Sequence, residues 1–373
     1  MSDVVGAVRA VRRGVGLFDM TSARGLVEVG GEDRARWLGG MLSNDVEGLR
    51  DGPEASGCYA ALLTPQGRVV SDLHVLHRGA VFWLELARAA VPDVIERLGR
   101  YVIADDVVLR DVSDEFVRYG LEGPRARPLL EAAAGRPLRV AVESVEELAV
   151  GGAPVVVAAF GWSGEDALQL FVRPGDAPVV RLALRGCGEA HGLVEPEARV
   201  LETLRIEAGI PAFGSELALD TLPDEAGIGH AISTTKGCYT GQEVVARLRS
   251  RGGVKHRMVG LRLRRGAEGP APGTRLLRAG DGSRTGEITS VAESEHGTRS
   301  PHETGTAWIA LGFVHRDDAA AGTVLMAGDA EVEVVVLPFV RAPLSLPRAD
   351  AAAAASQGAP ASERRGTAPR EAG

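Results

Sequence analysis

The chain has 373 residues, 45% hydrophobic and 25% charged, with a formal net charge of −8. That length allows two or three domains and a core large enough to stand without staples. The acidic balance argues against a protein held to nucleic acid by phosphate contacts, and no apolar run is long enough to span a bilayer.

No signal peptide is read at the N-terminus, where Arg9, Arg12 and Arg13 follow Asp3. Cys58, Cys187 and Cys238 are odd in number and widely spaced. A disulfide framework or a structural zinc site is therefore not expected, and the cytoplasm is the default compartment. Lys236 and Lys255 are the only lysines against forty arginines, and Asn44 is the only asparagine.

In chain order, Leu26–Val29 reads as a strand and Gly31–Leu42 as a helix with an apolar stripe. Cys58–Leu63, Arg68–Leu76 and Val81–Leu86 form a meander. A helix is expected over Val91–Tyr101, with Pro92 in its first turn. Strands at Asp106–Val112, Glu115–Leu121, Pro154–Phe160 and Leu168–Val172 frame a second α+β unit with helices near Arg125–Ala134 and Val179–Arg185. Glu197–Ala208 is helical and stops at Gly209, and Val244–Leu248 is the core of another helix. After Lys255, short alternating segments separated by glycine-rich turns predict a small antiparallel barrel. From about Pro347 the composition is that of a disordered tail.

Two segments carry chemistry. Thr240-Gly241-Gln242-Glu243 fits a capping box, with Thr240 as N-cap. That places Cys238 just outside a helix N-terminus and near Lys236, a setting that favours thiolate; a buried, inert cysteine is the other reading. Glu207 falls in the last turn of a helix, where a negative charge costs about 0.3–1 kcal/mol unless compensated. Its partner is either a salt-bridging arginine or a ligand with paired N–H donors, such as a pterin. The phosphate-loop, H-E-x-x-H and G-x-S-x-G patterns are absent from the sequence.

Arg199–Ile210, with its Leu204-Arg205-Ile206-Glu207-Ala208-Gly209 core, resembles a helix of the glycine-cleavage T-protein (aminomethyltransferase, GcvT-like) superfamily. So do Leu222–Gly227, Leu42–Val46, Ala61–Arg68 with Asp72, and Gly286–Ser290. The string Lys236-Gly237-Cys238-Tyr239-Thr240-Gly241-Gln242-Glu243 resembles the YgfZ-type branch of that superfamily.

The resemblance implies an α+β, GcvT-like folate-binding fold: two intertwined mixed α/β subdomains over residues 1–254, a C-terminal antiparallel β-barrel over 255–346, and the tail over 347–373. It implies tetrahydrofolate bound centrally, with Glu207 on the pterin and Lys236, Arg205, Tyr239, Gln242, Asn44 and Gln66 as further cofactor-binding positions. Cys238 would supply a thiol, and no metal ligand set is expected. The branch implies an accessory role for iron–sulfur enzymes or their assembly factors, possible support of tRNA modification, and no direct contact with nucleic acid or membrane. The alternative is a folate-dependent aminomethyltransferase or other one-carbon transferase. The superfamily places an Asn and a catalytic Asp just after the third meander strand. Here the Asn is missing and Asp93 is the candidate acid, a position it also fills as an ordinary helix-start residue, so aminomethyl chemistry is expected to be weak.

Overall fold

The computed structural model describes residues 3–54, 56–265, 269–297 and 307–341. The expected tail, 347–373, lies outside the described residues.

The chain begins with α1 (Val4–Arg13), β1 (Val15–Asp19), β2 (Arg24–Gly30) and α2 (Arg34–Met41). The meander follows as β3 (Gly57–Leu63), β4 (Val69–Arg78) and β5 (Val81–Ala87), then α3 (Val91–Gly99) and β6 (Val108–Asp111). Next come β7 (Val117–Glu122), α4 (Ala126–Ala134), β8 (Val145–Val150), β9 (Ala153–Ala158), β10 (Ala167–Val172), α5 (Ala177–His191), β11 (Leu193–Val194), α6 (Ala198–Glu207) and α7 (Gln242–Ser250). The last strands are β12 (His256–Arg265), β13 (Arg275–Arg278), β14 (Arg284–Glu293), β15 (Trp308–His315), β16 (Val324–Ala327) and β17 (Ala330–Val335).

The strands make three bodies. One sheet has the order β3-β4-β5-β2-β6, a second β11-β1-β7-β10-β9-β8, and β12-β15-β14-β13-β16-β17 close into a barrel. The first two are interleaved in sequence, because β1 belongs to the second sheet and the chain returns there at β7. The fold is the mixed α/β pair with a closed antiparallel barrel that the sequence predicts. The elements before β2 were not expected; α1 packs Val4, Val8 and Val11 against Val200 and Leu204 of α6.

The period-2 alternation of the strands gives each sheet two dissimilar buried faces. In the first sheet, Val27, Leu73, Val75 and Leu84 join a core that also holds Trp37 and Leu38 of α2 and Val94 and Leu98 of α3. In the second, Leu121, Leu168, Leu170 and Val157 pack with Leu129 and Leu130 of α4 and Val180 and Leu184 of α5. The opposite faces meet each other. Leu26, Leu76 and Trp83 of the first sheet pack against Val156, Ala158, Phe160 and Phe171 of the second. Polar residues of the same registers are thereby carried into the sheet–sheet interface, where burial obliges them to find partners.

Candidate active site

Three adjacent strands supply one transverse polar row. Tyr59 of β3 pairs in register with His74 of β4, and His74 pairs with Glu85 of β5. Asp72 lies two residues before His74 on the same face. The Tyr59 hydroxyl donates to Asp72 Oδ2 at 3.0 Å. Asp72 Oδ1 is buried and has no partner. Burial, with Asp72 beside it, pushes the Tyr59 phenol well above its ordinary value, so it stays a donor.

The second sheet closes over this row. Phe160 stacks on the His74 ring at 3.7 Å and 13°, and His230 stacks on Tyr59 at 5.2 Å. His74 Nδ1 lies 2.8 Å from Glu143 Oε2. Glu143 has φ of 56°, the only non-glycine residue with positive φ among the described residues. Such a conformation persists only where its surroundings over-determine it.

Glu85 carries the charge of the cluster. Arg24 reaches both its oxygens at 2.7 Å as a bidentate pair, and Arg118 Nη2 reaches Oε1 at 3.1 Å. Burial alone would raise the Glu85 carboxyl, but Arg24 and then Arg118 outweigh it and bring it down to about 2. Arg118, buried against the Phe171 ring at 3.8 Å, is lowered to about 10 and keeps Nε and Nη1 unpartnered. Arg24 also lies over the Trp162 ring at 4.8 Å. Beyond Trp162, Gln169 and Glu122 are fully buried; Gln169 Nε2 donates to Glu122 Oε1 and to the Phe160 carbonyl, and Gln169 Oε1 has no partner.

The residues singled out from sequence fall mostly elsewhere. Glu207 is fully buried, but Arg12 Nε and Nη2 donate to its Oε2 and the Ser294 hydroxyl to its Oε1. In this structure the partner that its helix-end position called for is Arg12, in an internal salt bridge. Arg205 is spent on Glu202, Glu216 and Ser290, tying α6 to the barrel. Lys236 donates to the carbonyls of Gly39, Leu42 and Asn44 at 2.6, 2.7 and 2.9 Å, capping the C-terminal end of α2. Tyr239 is buried among Ala61, Leu63, Val69 and Val245. Asn44 does touch the cluster's support, because its Nδ2 donates to the Tyr59 carbonyl at 2.8 Å. Gln66 is exposed in the β3–β4 turn, and Gln242 opens α7.

The capping box does not form. The N-cap of α7 is Gly241, at φ 85°, with no side-chain cap bond, and Glu243 pairs with Arg247 instead. The loop is docked on the β3–β4 turn so tightly that a Cβ at Gly241 would stand 2.6 Å from the Thr64 carbonyl oxygen. Cys238 is exposed, and no group of three or more metal-ligating side chains occurs among the described residues. Asp93 is an exposed first-turn residue of α3 paired with Arg97. The residues that do converge were signalled only by polar side chains inside otherwise apolar strands, as in Ser71-Asp72-Leu73-His74, Leu84-Glu85-Leu86 and Leu168-Gln169-Leu170.

A family model described as the GCVT N-terminal domain matches residues 2–236. An aminomethyltransferase of Saccharopolyspora erythraea is 33% identical over 343 residues, covering 89% of this chain and 88% of that protein. An aminomethyltransferase of Bacillus subtilis is 29% identical over 347 residues, covering 89% of each. The crystal structure of glycine cleavage system aminomethyltransferase T from Bartonella henselae superposes with a TM-score of 0.76 at 22% identity, over 91% of this chain and 90% of that one, a likeness of fold. The chain belongs to the GCVT family. No helix among the described residues is long and apolar enough to cross a membrane.

Proposed function

We propose that the chain is a tetrahydrofolate-dependent one-carbon transferase of the aminomethyltransferase type, working at the inter-sheet cluster around Asp72. The observation that carries this reading is Asp72 itself. One oxygen is held by the Tyr59 hydroxyl, and the other is buried and unpartnered. Buried acceptors without partners are costly and rare, and an incoming donor removes that cost.

The cluster fits a pterin in two respects. Asp72 Oδ1 and Gln169 Oε1 are both buried acceptors without a partner, and each suits an N–H donor such as a pterin offers. Tyr59, His74, Phe160 and Trp162, in successive contact with one another, make an aromatic wall beside Asp72, a setting that suits a flat, partly apolar ligand. Bound tetrahydrofolate would supply the amine nitrogens that accept the one-carbon unit. Asp72 would accept or return a proton through Oδ1, while Tyr59 holds Oδ2 fixed. Glu85, kept ionised by Arg24 and Arg118, fixes both guanidinium groups beside the ligand. The missing Asn weighs against transfer mainly if Asp93 is the acid, and Asp93 lies outside this cluster.

The YgfZ-type reading, a folate-binding accessory of iron–sulfur enzymes that supports tRNA modification, rests on the Lys236–Glu243 string. The buried side chains of that string serve the docking of its loop, and Cys238 is exposed. The relatives named aminomethyltransferase also favour the transferase.

The test is ammonia release from an aminomethylated lipoyl carrier in the presence of tetrahydrofolate. Asp72→Asn should lower the rate by about 10²–10⁴-fold, the scale for losing a general acid or base, while folate still binds. A wild-type protein that binds no tetrahydrofolate, or an Asp72→Asn variant with undiminished turnover, would overturn the proposal. Rescue of iron–sulfur enzymes in a deletion strain that depends on Cys238 and not on Asp72 would favour the accessory role.

A further inference from the structure

Gln169 and Glu122 form a pair of unlike roles. Gln169 Nε2 has two acceptors around it, Glu122 Oε1 at 3.3 Å and the Phe160 carbonyl at 3.2 Å. Those two bonds settle which end of the amide is nitrogen, and they leave Oε1 as the end without a partner. Glu122 in turn accepts from the Ser163 hydroxyl at 2.6 Å, the Ser163 amide at 3.0 Å and the Trp162 amide at 3.3 Å. Space for this carboxylate is made by a glycine: a Cβ at Gly161 would lie 2.6 Å from Glu122 Oε1.

We propose that Glu122 is a positioning residue whose ionised carboxylate locks the Gln169 amide with its oxygen towards the ligand, so that proton uptake by Glu122 weakens binding of a ligand that offers N–H donors. This deepens the folate reading and rests on it.

The geometry dictates the sense of the effect. Oε2 of Glu122 holds the short Ser163 hydroxyl and amide bonds at 2.6 and 3.0 Å, whereas Oε1 receives only the longer Trp162 and Gln169 bonds at 3.3 Å, so the proton goes to Oε1. There the acceptor for Gln169 Nε2 becomes a donor facing a donor. The amide is then held only by the Phe160 carbonyl, and the orientation of its oxygen is lost.

Glu122 is also poised to take that proton. Burial raises its carboxyl to about 7, although the Ser163, Trp162 and Gln169 bonds oppose the rise. The charged groups around it are engaged with other partners. Arg12 of α1 donates to the Ser163 carbonyl and is shared between Glu165 and Glu207. Arg24 of β2, over Trp162, is bound to Glu85. Arg118, four residues back on β7, is bound to Glu85 as well. The remaining charged residue nearby, Asp166 before β10, adds a carboxylate to this end of the sheet, and its backbone carbonyl receives the Gly123 amide.

Two measurements test the proposal. Infrared spectra of the ligand-free protein should gain a buried carboxylic-acid carbonyl band as the pH falls through about 7, and Glu122→Gln should lack it. Calorimetry with tetrahydrofolate should show about tenfold weaker binding near pH 6 than near pH 8, the scale for one proton titrating between them. Glu122→Gln should flatten this dependence. The exchange Glu122→Gln with Gln169→Glu, which again pairs one amide with one carboxylate, should bind better than Gln169→Glu alone, where two buried carboxylates face each other. Folate binding that is independent of pH, or a pH dependence that survives Glu122→Gln, would overturn this inference and leave the folate reading standing. Absence of tetrahydrofolate binding at every pH would remove both.

Discussion

Arg12 Nη2 of the first helix lies 2.7 Å from Glu207 Oε2 at the end of α6, a carboxylate with no exposure to solvent. The contact joins residues 195 positions apart and, through the Ser294 hydroxyl on Glu207 Oε1, reaches the segment that follows β14. Arg12 also donates to Glu165 in the β9–β10 connection. One guanidinium therefore ties the N-terminal helix to both the second sheet and the α6–barrel contact.

Removing one partner of such a pair leaves the other charge buried. Arg12→Met should destabilise the protein by about 3–5 kcal/mol, the scale for an uncompensated buried ion. Arg12→Met with Glu207→Gln should recover a good part of that loss, because the stranded charge is gone. Urea unfolding of the two variants decides it. A loss in Arg12→Met below about 1 kcal/mol, the scale of an exposed pair, would mean that water reaches Glu207.

Glu85 and Glu122 should give opposite slopes of stability against pH. Glu85 is held down at about 2 in the folded protein against an ordinary 4.5, so its contribution is present above 4.5 and is lost as the pH falls towards 2. Glu122 is raised from 4.5 to about 7, so its folded state is favoured while the proton is on and loses ground as the pH rises from 4.5 to 7. A shift of that size corresponds to about 3 kcal/mol. Relative to wild type, Glu122→Gln should therefore gain by that order between acid and mildly alkaline solution. Denaturation midpoints measured across the range check it; a difference that does not change with pH would place the Glu122 titration outside the window.

Two of the three thiols should separate by reactivity. Cys238 is exposed, whereas burial, with Glu143 adding to it, pushes the Cys58 thiol up to about 12. The thiolate is the reacting form, so Cys58 should alkylate far more slowly than Cys238 near neutral pH. Peptide mass spectrometry after iodoacetamide treatment reads the order. Cys58 reacting first would show that the edge of β3 opens in solution.

Much of the architecture was legible in the residues. The alternation of β3, β4 and β5, the helix stop at Gly209 and the glycine-punctuated strands of the barrel are local signals, and local geometry answers to them. α1 does carry local signals, Asp3 as N-cap and Val4, Val8 and Val11 at helical spacing, whereas β1, with four buried residues in a row, has no alternation to read. Glu207 shows the boundary between the two kinds of information. Its position at a helix end states that a partner is needed, but whether that partner is an arginine or a ligand depends on where a residue 195 positions away arrives.

The same holds for Lys236 and Cys238, whose string stands out in the sequence while its loop is held by the C-terminal end of α2 and the β3–β4 turn. Sequence by itself determined the α+β class, the barrel and membership in a folate-related family, because periodicity and motif strings are properties of contiguous residues. Only the tertiary structure decided which acids and amides face one another. Asp72, His74 and Glu85 come from one sheet and Glu122 and Gln169 from another, and each is an isolated polar residue in an apolar strand until the two sheets close. Burial then strips water from all of them at once, and it is that shared loss of solvent that fixes their partners, their charges and the two acceptors left open.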